Sequence, residues 1–146
     1  MEGSQRVGGI VGQGIGIIKN CYALADVTAR TAIAGGIAGR AYNLIIENCY
    51  YGGKVSAGSF ADNSAGGIAG ETYGSPDSST KIKNCVSLAE SVTGSNTNRI
   101  VGNIYNLTLT NNYAWSDPAL SADDATGLNG ADLTYTNGTL SKQFSE

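Results

Sequence analysis

The apolar residues of this chain fall in short runs, such as residues 21–25 and 44–46, bounded by Asn, Gly or an acid. A helical repeat needs long stretches of strong helix formers free of glycine, whereas Gly, Asn, Ser, Thr and β-branched residues recur here throughout. The pattern predicts short strands separated by tight turns.

The runs are also periodic. Gly-Gly-Ile-Val-Gly at 8–12 returns as Gly-Gly-Ile-Ala-Gly at 35–39 and 66–70, and degenerately as Asn-Arg-Ile-Val-Gly at 98–102. The closing glycines, Gly12, Gly39, Gly70 and Gly102, are 27, 31 and 32 residues apart. A second block follows each: Ile18-Lys19-Asn20-Cys21-Tyr22, Ile46-Glu47-Asn48-Cys49-Tyr50, Ile82-Lys83-Asn84-Cys85-Val86 and Leu109-Thr110-Asn111-Asn112-Tyr113. A third marker is a β-prone pair, Val27-Thr28, Val55-Ser56 and Val92-Thr93. Strands repeated at this period and stacked on their equivalents predict an all-β fold, a right-handed parallel β-solenoid (β-helix) of about four repeats.

Stacking places equivalent residues about 4.8 Å apart. Two apolar ladders are expected inside the coil: Ile10, Ile37, Ile68 and Ile100, and Ile18, Ile46, Ile82 and Leu109. Asn20, Asn48, Asn84 and Asn111 form a turn column whose amides bond along the stack. Cys21, Cys49 and Cys85 share the next column. Outside, Lys19, Glu47 and Lys83 alternate in sign, and Arg40 meets Glu71; such cross-strand pairs contribute about 0.2–1 kcal/mol each. From closing glycine to asparagine there are 7, 8, 13 and 8 residues, so the third unit should bulge over 73–80, and a second bulge is expected over 57–64. Residues 1–6 read as a leader, 7–117 as the repeats and 118–146 as a cap-like tail. The first coil lacks an obvious cap, so end-to-end contact there is expected, and the chain reads as a piece of a longer protein.

Composition narrows the chemistry. With no His among 146 residues, Ser-His-Asp and Cys-His catalysis and His-ligated metal are excluded. A net charge of −3 argues against nucleic acid. No segment approaches the roughly 18–20 apolar residues that span a bilayer, so this segment is not expected to insert into a membrane. Gly12-Gln13-Gly14-Ile15-Gly16 approaches a phosphate fingerprint, but no Gly-Lys-Ser/Thr follows. The cysteines read as packing residues, a disulfide with one thiol left over, or metal ligands; zinc would need a fourth ligand. A glycosidase needs two convergent carboxylates, yet no column stacks two acids. No cofactor, metal or catalytic residue is expected. Tyr22, Tyr50 and Tyr113 share a column, interrupted by Val86; with Tyr73 and Asp77 of the third-unit loop they are the candidate ligand surface, either a platform for a sugar or protein or a packed column.

The three markers resemble the GLUG-motif repeat proteins of bacterial cell surfaces. The resemblance covers roughly 7–117; the fourth copy departs where Asn98-Arg99 replace the glycine pair and Asn112 replaces the cysteine. It implies an extended β-solenoid region of an exported protein, as in adhesins and the non-catalytic parts of immunoglobulin A-cleaving metallopeptidases. The expectation is a non-enzymatic structural or adhesive module, extracellular or at the cell surface, whose partner is a host protein or glycan. The alternatives are a glycan-binding or glycan-acting β-helix, or an accessory region of a surface peptidase.

Overall fold

The computed structural model describes residues 1–76, 78–115, 127–136 and 139–142. Its described residues form a parallel β-solenoid of about four turns without a helix. Each turn contributes strands to three sheets. The first holds β2 (Arg6–Gly8), β6 (Ile33–Gly35), β9 (Ser64–Gly66) and β13 (Asn96–Asn98). The second holds β3 (Val11–Lys19), β7 (Ala38–Glu47), β10 (Ala69–Tyr73), β11 (Thr80–Lys83), β14 (Val101–Asn103) and β15 (Leu107–Thr110). The third holds β1 (Glu2–Gly3), β4 (Tyr22–Ala23), β5 (Val27–Ala29), β8 (Tyr50–Ala57), β12 (Val86–Thr93), β16 (Tyr113–Trp115), β17 (Ala131–Thr136) and β18 (Thr139–Lys142).

The glycine motif makes the sharp arc from the first sheet into the second. Its glycines are needed for space. A Cβ on Gly35 would lie 1.9 Å from the Ala38 carbonyl oxygen and 2.5 Å from the Gly70 nitrogen; on Gly66 it would meet Ala69 O at 2.0 Å and Gly102 N at 2.6 Å. The first glycine of one coil therefore touches the closing glycine of the next, backbone against backbone. Over the fourth arc, Leu128 continues the column: Ile100 N–H donates to Leu128 O at 3.0 Å. Asn98 instead caps its own arc by donating from Nδ2 to Gly102 O at 3.1 Å.

The Ile column is continuous, with Ile10, Ile37 and Ile68 N–H groups donating to the carbonyls of Ile37, Ile68 and Ile100. Ile37, Ile68 and Ile100 are fully buried, as are Ile46 and Ile82 of the second column. Ile10, expected inside, is 41% exposed, and Ile18 and Leu109 are only partly buried. End coils have a neighbour on one side only, so the same position loses half its cover. The stack reaches past 7–117 at both ends: Glu2 and Gly3 pair with Thr28 and Ala29, and Tyr113, Ala114 and Trp115 pair with Ala131, Asp132 and Leu133. Strand β18 then turns back antiparallel on β17.

A second irregularity repeats in the middle sheet. Asn43 and Asn106, each four residues after a closing glycine, have φ of 45° and 55°, and Gly16, at the same offset, has φ of 115°. The Asn106 kink falls between β14 and β15, and the third-unit insertion leaves the sheet between β10 and β11. Asn43 Oδ1 accepts from Ser75 N–H at 3.0 Å, and Asn106 Nδ2 donates to Ser75 O, so both neighbouring coils hold the insertion.

Candidate functional site

The corner after the middle sheet carries the asparagine column. Asn20, Asn48, Asn84 and Asn111 all take left-handed backbone, φ 53–54°, which Asn tolerates better than other non-glycine residues. Their amides form one chain: Asn48 donates to Asn20 (3.2 Å), Asn84 to Asn48 (3.2 Å) and Asn111 to Asn84 (2.8 Å), with Tyr113 Oη donating to Asn111 Oδ1 at 2.7 Å.

Beside it Cys21 is half-buried while Cys49 and Cys85 are buried, all three as free thiols. Cys49 donates to the Ile18 carbonyl at 3.8 Å and Cys85 to Ile46 O at 3.6 Å. Asn112 replaces the thiol with a stronger donor, bonding Ile82 O at 2.8 Å while its Oδ1 accepts from Cys85 N–H at 3.0 Å. The substitution in the fourth copy thus preserves the column. The neighbouring Cys49 sulfur, and burial after it, hold the Cys85 thiol above the usual value.

Two lysines flank Glu47, Lys19 at 2.8 Å and Lys83 at 3.1 Å, and hold its carboxyl below the usual carboxylate range. Arg40 pairs with Glu71 on the same sheet. Inside the coil Tyr51 is fully buried, its Oη within 3.1 Å of Ala25 O and 2.9 Å of Lys54 O; burial, then the charges of Asp26 and Glu90, push its phenol upward.

Of the candidate ligand surface, Tyr22 and Tyr50 are exposed and stack with ring centroids 5.0 Å apart and 6° between planes. Tyr113, at the same position of that column, is only 6% exposed, and Ala131 of β17 pairs against it. Asp77 lies outside the described residues. Tyr73 belongs to a separate ladder, stacked on Tyr42 (5.3 Å, 12°) and tilted against Tyr105 (5.7 Å, 46°). Each of these three stands three residues after a closing glycine, with Ile15 at the same offset in the first coil, so a count from the glycines would have found the ladder.

An open groove of about 650 Å³ lies where the loop between β8 and β9 leans over the edge of the first two sheets. Arg6, Arg40 and Glu71 line one side and Phe60, Asp62 and Asn63 the other. The loop is held from behind: Ser95 Oγ donates to Phe60 O (2.9 Å) and Asn96 Nδ2 to Ala61 O (3.2 Å). Among the described residues no group of three or more Cys, Asp or Glu side chains is placed to hold a metal ion.

With the arc, the asparagine corner and the valine pair on the page, residues 3–28 match the family model described as the GLUG motif. The chain carries the GLUG motif. No curated protein matches it. Among solved structures, it is similar to the crystal structure of a putative immunoglobulin A1 protease from Bacteroides ovatus, with 31% sequence identity and a TM-score of 0.65. That alignment covers 99% of this chain and 42% of the other, so this chain spans less than half of the other's length.

Proposed function

We propose that this chain is a non-catalytic structural and adhesive module of an exported bacterial protein, displayed at the cell surface with a host protein or glycan as partner. The observation that carries the reading is the commitment of five carboxylates to contacts between neighbouring coils. Glu47 is held between two lysines, Glu71 by Arg40, Glu2 by Arg30 and Glu90 by Lys54, while the Asp26 carboxylate accepts from Lys54 N–H. Carboxylates tied to neighbouring coils build a stiff rod and leave its long outer faces for contact. In a first test, beads coated with the chain are incubated with epithelial monolayers, and retention above albumin-coated beads is expected. Retention equal to albumin would remove the adhesive part and leave a spacer.

A second reading, an accessory region of a surface peptidase, is favoured by the similarity to the Bacteroides ovatus protein over nearly the whole chain. Under both readings the isolated chain leaves immunoglobulin A1 intact on a denaturing gel. Cleavage of the heavy chain by the purified chain would overturn the non-catalytic assignment.

A further inference from the structure

We propose that the groove between the β8–β9 loop and the Arg40–Glu71 pair binds a neutral saccharide, a refinement that rests on the adhesive reading above. The tyrosine stacks are the poorer site for a sugar. A pyranose stacks through its C–H face on a bare aromatic face, and in the Tyr22–Tyr50 pair each ring already covers one face of the other at 5.0 Å and 6°. Among the described residues Phe60 has no such neighbour, and it is 67% exposed at the groove rim.

The polar lining points to the class of ligand. Arg6 and Arg40 are balanced by Asp62 and Glu71, so neither a phosphate nor an amine meets a net opposite charge. A hydroxyl both donates and accepts, and a wall mixing guanidinium donors with carboxylate acceptors suits a rim of hydroxyls. Asn63 adds an independent sign. It is 3% exposed, lines the groove, and its Nδ2 has no hydrogen-bond partner among the described residues. A buried amide donor without an acceptor costs about 1–3 kcal/mol. A ligand acceptor oxygen that reached this amide would recover the loss. The volume of about 650 Å³ falls within the roughly 300–1,000 Å³ of small-ligand sites, and the bonds from Ser95 and Asn96 set the loop before a ligand arrives.

The test is an array of neutral, sialylated and sulfated oligosaccharides, followed by calorimetry with the neutral di- and trisaccharides retained. The wild-type chain is expected to bind neutral members. Phe60→Ala and Asp62→Ala, both in the exposed loop, should each weaken binding about tenfold or more, equivalent to about 1.4 kcal/mol. Tyr22→Ala should leave it unchanged, and circular dichroism melts confirm that each variant is folded. Undiminished binding by both loop variants would overturn the site, and binding confined to charged glycans would overturn the ligand class. If no oligosaccharide binds while the coated beads still adhere to cells, the saccharide inference fails and the adhesive reading stands.

Discussion

At the scale of single residues, side chains act through the coil above and the coil below. Glu47 is the clearest case, with a lysine from each neighbouring coil holding its carboxyl charged below the usual range. A carboxyl whose value is lowered by folding contributes stability that is fully present above its unfolded value, near 4.5, and lost as pH falls through the folded value. The wild-type melting temperature should therefore drop more steeply below pH 4.5 than that of Glu47→Gln, the two curves converging in acid. Parallel curves across that range would show that the lysines do not hold the carboxyl. Legibility at this scale was uneven. Glu47 between Lys19 and Lys83 was plain from alternation in one column, whereas the burial of Tyr113 was not, because its cover comes from Ala131 beyond the recognisable repeats.

At the scale of the element, the arc and the asparagine corner place different demands on the backbone. The arc needs the absence of a side chain: a Cβ on Gly35 would stand 1.9 Å from a neighbouring carbonyl oxygen, and backbone cannot yield as a side-chain tip does. The corner needs left-handed φ and also a side-chain amide. Asn48→Gly keeps the backbone and loses two ladder hydrogen bonds, at about 0.5–1.5 kcal/mol each, whereas Asn48→Ala adds about 1–2 kcal/mol of backbone strain. Chemical denaturation should rank wild type above Asn48→Gly above Asn48→Ala, with Gly35→Ala destabilised by about 1–3 kcal/mol or more. Equal stability of the two Asn48 variants would show that the corner is not strained.

At the scale of the whole molecule, the strands of each coil pair, among the described residues, with those of its neighbours, so stability is close to a sum of local terms. The third coil is buried on both sides, with Ile68 and Ile82 fully enclosed, while the first leaves Ile10, Ile15, Ile17 and Leu24 exposed. Hydrogen exchange should protect the amides of β7, β10 and β11 longest and those of β3 least, by about tenfold or more where local opening differs by 1.4 kcal/mol. Uniform protection along the axis would mean that the rod unfolds as one unit.

The sequence by itself determined the architecture: glycine strings, asparagines, cysteines and isoleucines recur in constant order, and a translational stack turns each recurrence into a column. It also determined the interior columns away from the ends and the places where insertions leave the coil. The tertiary structure alone decided what covers each end, which tyrosines face one another, and where a groove opens. Arg6, Arg40, Phe60, Asn63 and Glu71 come from three different coils, and only Arg40 and Glu71 share a recognisable column. Periodicity says which residues lie above one another along the axis. How far a loop leans across the side of the rod depends on its own hydrogen bonds, which no repeat encodes.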